Sequence, residues 1–398
     1  MARHYSTKSF FRHMPNALLA RYFHERNLFH KFDFAAMKEG NPSALFEAWL
    51  SLPNEQRNAM DSEFREIFDM SCDKGFTAIL HEADFQFNDK AALSDFVEKL
   101  SALTNHYERA MITFLEHRNC WKVATLFYHA DTLPYWRKRK NLPQKQAAVD
   151  ETSIKHLETL LSEYFHYTEG RGNNCVVETY RRGELDYYFA YPEDYSRQSI
   201  EWVDGQFDCR PHNPAFEVIY VYSQKEGSID LNFRGNYKAI EPLQGMFAQA
   251  ILKLDELPPN PIDTRVYDLD PLLQKSFDFT YTPASGIESV VIRKLRLSSR
   301  VHKGDRITLE ADAENDPDAV LLLLDRIKAS LPMHLYHVTQ VDLSASVKID
   351  AEKPAKKVSF RITYPNSCTL KYDEVDLKLR NMLEASGVEP KELESAAA

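Results

Sequence analysis

The C-terminal third of the chain alternates strictly between apolar and polar residues. The longest run places these apolar side chains on one face of an extended chain: Val341, Leu343, Ala345 and Val347. The residues between them are polar, and the same alternation returns over residues 307–311 and 358–364. A period of two residues predicts β-strands that have one buried face and one face in water.

Apolar residues recur at intervals of three and four throughout the first 130 residues, as at Leu93, Phe96, Leu100 and Leu103. This spacing predicts a bundle of amphipathic helices whose aromatic residues pack in the core. The same spacing predicts later helices at residues 154–165, 243–254, 320–331 and 373–387. Strand-like runs around glycine turns predict β-hairpins at residues 175–191 and 216–233, with a further strand at 200–207.

These elements predict an α+β protein, with an N-terminal helical domain followed by two domains that each pack an antiparallel sheet on helices. We place the domains at residues 1–150, with a basic linker at the end, at 151–270 and at 271–398. The boundaries follow two stretches with linker composition, residues 135–146 and 257–271. In the last domain the predicted order is ββαββα, which leaves the polar face of its sheet open.

Charge is distributed unevenly along the 398 residues, whose formal net charge is −10. Residues 151–285 contain 12 basic and 22 acidic residues, so this segment alone carries −10, while residues 1–150 and 286–364 carry +1 and +2. An acidic segment repels nucleic acid and favours a basic protein surface. Four tyrosines of this segment are expected to be exposed for such a contact: Tyr187, Tyr188, Tyr191 and Tyr195.

Composition argues against several functional classes. Glycine occurs only 12 times, well below its usual share of about 7%, which disfavours the phosphate-binding loops of nucleotide-binding α/β folds. Five widely spaced cysteines predict buried thiols instead of a disulfide framework or a zinc site. No apolar run approaches the roughly 18–20 residues that span a bilayer, and no signal peptide is recognisable. We therefore expect a cytoplasmic protein without membrane contact.

No motif for catalysis, metal binding or cofactor binding satisfies the spacing that its chemistry requires. The glycine-rich residues 170–174 lack the further glycine of a dinucleotide fingerprint, and Pro317 stands where a calcium loop needs glycine. An unfamiliar catalytic site remains open at four acidic residues: Glu178, Glu184, Asp186 and Glu217. A small-molecule enzyme that uses Glu184, Asp186 or His212 is a further alternative. We expect no cofactor and no metal, leave catalytic residues unassigned and favour a non-enzymatic role.

A row of basic residues is the first candidate binding surface for phosphates or for an acidic partner. Alternation along the strand near residue 295 places these residues in one row with Ile292: Lys294, Arg296, Arg300 and His302. Lys357 and Arg361 on the partner strand join the same face. The alternative is a solvated face whose cations pair with acids such as Glu310 and Asp342.

A second basic group stands just before the first domain boundary. It mixes cations with an aromatic residue: Trp136, Arg137, Lys138, Arg139 and Lys140. Such a mixture suits single-stranded nucleic acid, and the alternative is a charged linker.

The leading hypothesis is a cytosolic, non-catalytic interaction protein that binds a protein partner as a subunit or adaptor of a larger assembly. Its support is the combination of well-patterned cores, separate charge zones and no recognisable catalytic constellation. The alternative is a nucleic-acid-binding or nucleic-acid-processing protein that uses the row at 292–302 and the group at 135–140.

Overall fold

The chain divides into two compact units. A computed structural model describes residues 4–134, 136–203, 205–259, 266–302, 304–313, 315–328, 330–349 and 354–389. Contacts within the chain divide it into Met1–Thr132 and Leu133–Ala398. The predicted mixture of helices and antiparallel sheet is confirmed, whereas the three-domain layout is not.

The N-terminal unit is helical, as the spacing of its apolar residues predicts. Its helices are α1 (Thr7–His13), α2 (Asn16–Glu25), α3 (Ser43–Leu50), α4 (Asn54–Met70), α5 (Asp73–Gln86), α6 (Lys90–Ser101), α7 (His106–Glu116) and α8 (Arg118–Thr132). The rings of Phe10, Phe11 and Tyr22 lie 4.9, 5.3 and 4.8 Å from the ring of Phe64, and all four are at most 1% exposed. Aromatic packing between the helices is therefore confirmed.

The C-terminal unit is built on a large antiparallel sheet. Its strands are β1 (Trp136–Arg139), β2 (Cys175–Arg182), β3 (Leu185–Pro192), β4 (Arg197–Val203), β5 (Gln206–His212), β6 (Val218–Ser223), β7 (Ser228–Phe233), β8 (Ile287–Ser299), β9 (Arg306–Glu310), β10 (Tyr336–Val347), β11 (Lys356–Thr363) and β12 (Ser367–Cys368). Within the described residues, ten of them join in the order β2-β3-β6-β7-β1-β12-β11-β10-β8-β9. Strands β4 and β5 form a separate hairpin.

Strand β1 joins two groups of strands that the sequence predicted in separate domains. It pairs with β7, where Lys138 lies opposite Asp230, and with β12, where Trp136 lies opposite Cys368. The segment predicted as a basic linker is therefore a strand inside the sheet. Its charged side chains make this possible because they find partners within the protein, as described below.

Four helices complete the described part of the C-terminal unit: α9 (Glu151–Glu169), α10 (Ile240–Ala250), α11 (Ala319–Lys328) and α12 (Glu374–Ala385). Phe165 of α9 and Phe247 of α10 pack in one core with Tyr188 and Tyr220 of the sheet. Gly170 closes α9 with a left-handed φ of 69°.

The second core of this unit follows the alternation that the sequence shows. Val341 and Leu343 of β10 are fully buried and pack in one cluster with Leu324 of α11 and with Leu379 and Leu383 of α12. The intervening side chains of β10 lie on the opposite face. The two-residue period therefore positions the polar face on which the predicted basic row lies.

Candidate functional site

The predicted basic row on β8 is interrupted by a β-bulge. Ile292 lies opposite Leu343 and Lys294 lies opposite Asp342, so Arg293 is an extra residue in β8. One extra residue shifts the alternation, which turns Ile292 to the buried face at 8% exposure. The row therefore begins at Lys294, and the prediction for Ile292 is wrong.

The last two members of the predicted row lie beyond the sheet. Strand β8 ends at Ser299, so Arg300 and His302 belong to the segment that follows it. Arg300 Nη2 is 2.7 Å from Asp270 Oδ2, and His302 is exposed. The two residues follow the row in sequence, but they do not lie on the polar face of the sheet.

Acidic residues neutralise part of the positive charge on the polar face. Lys294 Nζ is 2.7 Å from Glu310 Oε2, and Arg361 donates to both carboxylate oxygens of Asp342 at 2.6 and 2.7 Å. Burial by itself raises the pKa of Asp342, but the Arg361 guanidinium holds it below its usual value. Lys357 is exposed on the same face. These ion pairs support the alternative of a solvated face with paired cations.

The second basic group is largely inside the protein. Trp136, Lys138 and Arg139 are 1%, 6% and 8% exposed. Lys138 Nζ lies 2.7 Å from Glu226 Oε2 and 2.9 Å from Glu389 Oε1. Because these three side chains are buried, they offer no open surface to nucleic acid, and the expectation of an exposed patch is corrected for them.

The remaining cations of this group also make contacts. The Arg137 guanidinium lies 4.9 Å from the centre of the Tyr237 ring, and Lys140 Nζ is 3.1 Å from Glu389 Oε1. Tyr135, which the sequence placed beside them, lies outside the described residues.

The acidic residues proposed for an unfamiliar catalytic site do not all lie on one face of the sheet. Glu178 lies opposite Phe189, and Asp186 is three positions away from Phe189, so Glu178 and Asp186 face opposite sides of the sheet. Glu184 lies between β2 and β3, and Glu217 precedes β6. Among the described residues, no three His, Cys, Asp or Glu side chains are placed to hold a metal ion together.

Two of the tyrosines expected at the surface are buried. Tyr187 and Tyr188 have no exposed area, because β3 is covered on both faces along most of its length. A strand buried on both sides carries a continuous run of apolar and aromatic residues, which explains the sequence YYFA there. Of the other two, Tyr191 is partly buried and Tyr195 is 50% exposed.

Hairpin β4–β5 presents an apolar face that the sequence marked only as a further strand. Ile200, Trp202 and Phe207 are 71%, 74% and 64% exposed. Trp202 lies opposite Phe207 and Ile200 lies opposite Cys209, so all four point to one side. The two aromatic rings are 5.7 Å apart. The single strand predicted at residues 200–207 is wrong, because β4 ends at Val203 and β5 begins at Gln206. The exposure of the apolar side was not predicted either.

The opposite face of the hairpin is polar. Glu201 lies opposite Asp208, and Arg210 Nε is 2.5 Å from Asp208 Oδ2. The hydrogen bond from Arg210 lowers the pKa of Asp208. His212, considered above as a catalytic residue, is exposed at the end of β5. The hairpin is thus amphipathic, with its apolar side in water.

The base of the hairpin is held by a buried carboxylate. Asp194 is 5% exposed and accepts from Arg171 Nη1 at 2.7 Å and from Arg197 Nη2 at 2.5 Å. Its backbone N–H donates to the Pro214 carbonyl oxygen at 2.6 Å. Burial by itself raises the pKa of Asp194, but Arg171 and further hydrogen bonds keep it below its usual value. These contacts fix both ends of the hairpin.

Asp194→Asn is expected to loosen the hairpin without unfolding the unit. A neutral amide cannot accept from two guanidinium groups as a carboxylate does, so amides of residues 197–212 should exchange roughly tenfold faster. Hydrogen exchange read by mass spectrometry measures this, with Asp208→Asn as the control because its ion pair is exposed. Equal exchange in the two variants would contradict the anchoring role of Asp194.

Among the described residues, none of the helices combines the length and the apolar composition needed to cross a bilayer. No protein-family model matches the chain, and no curated protein matches its sequence. The chemistry of the surfaces described above is therefore the basis on which a function can be assigned.

Proposed function

We propose that this chain is a non-catalytic interaction protein, a subunit of a larger assembly that docks on a partner protein through the apolar face of hairpin β4–β5. The observation that carries the proposal is the exposure of Ile200, Trp202 and Phe207 side by side, at 64–74%. Contiguous apolar surface bordered by polar residues marks interaction sites on soluble proteins.

Docking would supply the covering layer that the hairpin lacks. A two-stranded hairpin without such a layer is marginally stable in water. Apolar surface contributes about 25 cal/mol for each Å² that it buries, and tryptophan is enriched among the residues that dominate binding energy. Packing Trp202 and Phe207 into a groove would therefore stabilise the hairpin and the complex together.

Charge favours one class of partner. Glu201 and Asp208 lie on the polar face, and residues 151–285 around them in sequence carry a net charge of −10. The complementary partner is a protein whose apolar groove is bordered by lysine and arginine. A second copy would bring the same negative charge and nucleic acid would be repelled, so the proposed occupant is a different protein.

Trp202→Ser combined with Phe207→Ser is expected to abolish this association. Both side chains are exposed and outside the buried cores, so the C-terminal unit should stay folded. The measurement is native co-purification at low salt, with a photo-crosslinking amino acid at position 202 to map the contact. We expect a stoichiometric protein, crosslinked within a basic-rimmed groove, that is lost in the double variant.

Tyr167→Ser is the matched control, because Tyr167 is 83% exposed on α9, outside the hairpin. This variant should retain the companion. A companion that persists in the double variant contradicts the proposal. Nuclease-sensitive material that absorbs at 260 nm, found in place of a protein companion, also contradicts the proposal. A dimer in analytical ultracentrifugation that the double variant loses contradicts it as well.

A further inference from the structure

We infer that the polar face of the large sheet holds a binding site for the phosphate group of a nucleotide, formed by Arg296 and Arg306, with Arg361 further along the same face. The site does not involve the hairpin, and it stands whether or not the hairpin binds a protein. It uses Arg296 of the predicted row and adds Arg306, which sequence reasoning did not select.

Strand pairing places the three arginines on one face. Arg306 lies opposite Ser298, which is two residues beyond Arg296 in β8. Gln340 lies opposite Arg296. Asp342, two positions after Gln340, lies opposite Arg361. Because side chains two positions apart share a face, strands β8, β9 and β11 bring three guanidinium groups to the same side.

Two of these arginines make no direct ion pair within the described residues. Asp342 is bound to Arg361 and Glu310 is bound to a lysine. Within the described part of the chain, neither Arg296 nor Arg306 forms an ion pair with an acidic residue. Burial lowers the pKa of Arg296, and the neighbouring charges of Arg306 and Arg361 lower it further, while the charge of Asp342 opposes them only in part. An anion bound here would relieve this repulsion.

The donors at the site suit phosphate oxygens. Guanidinium groups bind phosphate through paired N–H donors in a fixed fork. Arg296 Nε donates to Thr339 Oγ1 at 3.3 Å, and this hydroxyl is 2.8 Å from Ser298 Oγ. These contacts hold Arg296 on the face of the sheet, and the two hydroxyls add hydrogen-bonding capacity beside it.

Room for the rest of the ligand adjoins the arginines. An open pocket of about 330 Å³ has Arg361, Lys294, Glu310 and Asp342 in its lining, with Arg296 and Arg306 outside that lining. Its volume falls within the range of small-molecule sites. The two carboxylates can accept hydrogen bonds from hydroxyl and amino groups, which the ribose and the base of a nucleotide carry. The ligand chemistry is therefore that of a nucleotide, either free or within a nucleic-acid chain.

The test measures binding of ATP, pyrophosphate and a fluorescent single-stranded RNA to the full chain at low salt. Arg296→Gln combined with Arg306→Gln should weaken binding roughly tenfold or more, because charge-assisted hydrogen bonds to the phosphate are lost. Lys275→Gln combined with Arg326→Gln removes the same charge from exposed positions elsewhere. This control should stay within about twofold of the parent, since it leaves the site intact.

The probes separate the two sources of the phosphate. Binding of ATP or pyrophosphate without RNA assigns a free nucleotide, and binding of RNA alone assigns a nucleic-acid chain. A lack of binding by all three probes, or an equal loss in the two double variants, overturns the inference.

A second measurement needs no variant. A bound probe should slow phenylglyoxal modification of Arg296 and Arg306 in the parent chain, as read by mass spectrometry. Unchanged modification in the presence of a bound probe also overturns the inference, because the phosphate would then lie elsewhere.

Discussion

Lys138→Met is expected to lower the free energy of unfolding of the C-terminal unit by about 3–5 kcal/mol, the usual loss when one partner of a buried ion pair is removed. Lys138 is 6% exposed and its ammonium group lies between Glu226 and Glu389, at 2.7 and 2.9 Å. Methionine fills a similar volume but leaves both carboxylates without this cation. Hydrogen exchange of β7 amides in increasing urea reports the unfolding of this unit separately from the helical unit.

Lys155→Met provides the control for that experiment. Lys155 makes an ion pair of similar length with Glu158, at 2.8 Å, but its side chain is 73% exposed. Exposed pairs contribute little, so no measurable change in the free energy of unfolding is expected. A loss of less than about 1 kcal/mol for Lys138→Met would contradict the view that this ion pair holds β1 in the sheet.

The regular elements were predictable because their signal is local. The alternation over residues 341–347 predicted β10, and the apolar spacing over residues 154–165 predicted α9, since each period reports one face of one element. The bulge at Arg293 was not predictable from that pattern. It depends on the pairing with β10, and it moves Ile292 to the other face.

The sequence did not predict strand β1, because an acidic partner of its lysine lies far away in the chain. The sequence WRKR has the charge of a linker, and nothing nearby indicates burial. The carboxylate of Glu389, which pairs with Lys138, stands 251 positions later. Buried charges are recognisable only with their partners, so single-sequence reasoning assigned this strand to a linker and divided one sheet between two domains.

The exposure of candidate surface residues also could not be predicted from the sequence. Tyr187 and Trp202 both occur in strand-like runs of the acidic segment, yet Tyr187 has no exposed area and Trp202 is 74% exposed. The difference comes from the layers above each strand, which the alternation of a single strand does not encode. The exposed face of the hairpin, on which the proposed function depends, therefore became visible only in the fold.

Acidification is expected to destabilise the C-terminal unit through Glu389. Burial by itself raises the pKa of Glu389, but Lys138, Lys140 and Arg380 together hold it well below its usual value. The unfolded chain has a glutamate pKa of about 4.3. As the pH falls, it therefore takes up a proton on Glu389 at a higher pH than the folded chain does. The contribution of Glu389 to stability is fully present above that pKa and is lost as the pH falls through the lower pKa of the folded state.

Comparison with Glu389→Gln isolates this effect, because other buried acids titrate in both proteins. Burial raises the pKa of Asp230, which opposes the acid loss, whereas the pKa of Glu226 is lowered by Lys138 despite burial, which adds to it. Urea unfolding between pH 6 and pH 3 should show a steeper fall in the parent, by at most about 1.4 kcal/mol per pH unit for one proton. The variant should be the less stable at pH 6 and approach the parent at low pH, where Glu389 is also neutral. Parallel curves would show instead that Glu389 has the same pKa in the folded and unfolded states, and that its contact with Lys138 does not stabilise the sheet.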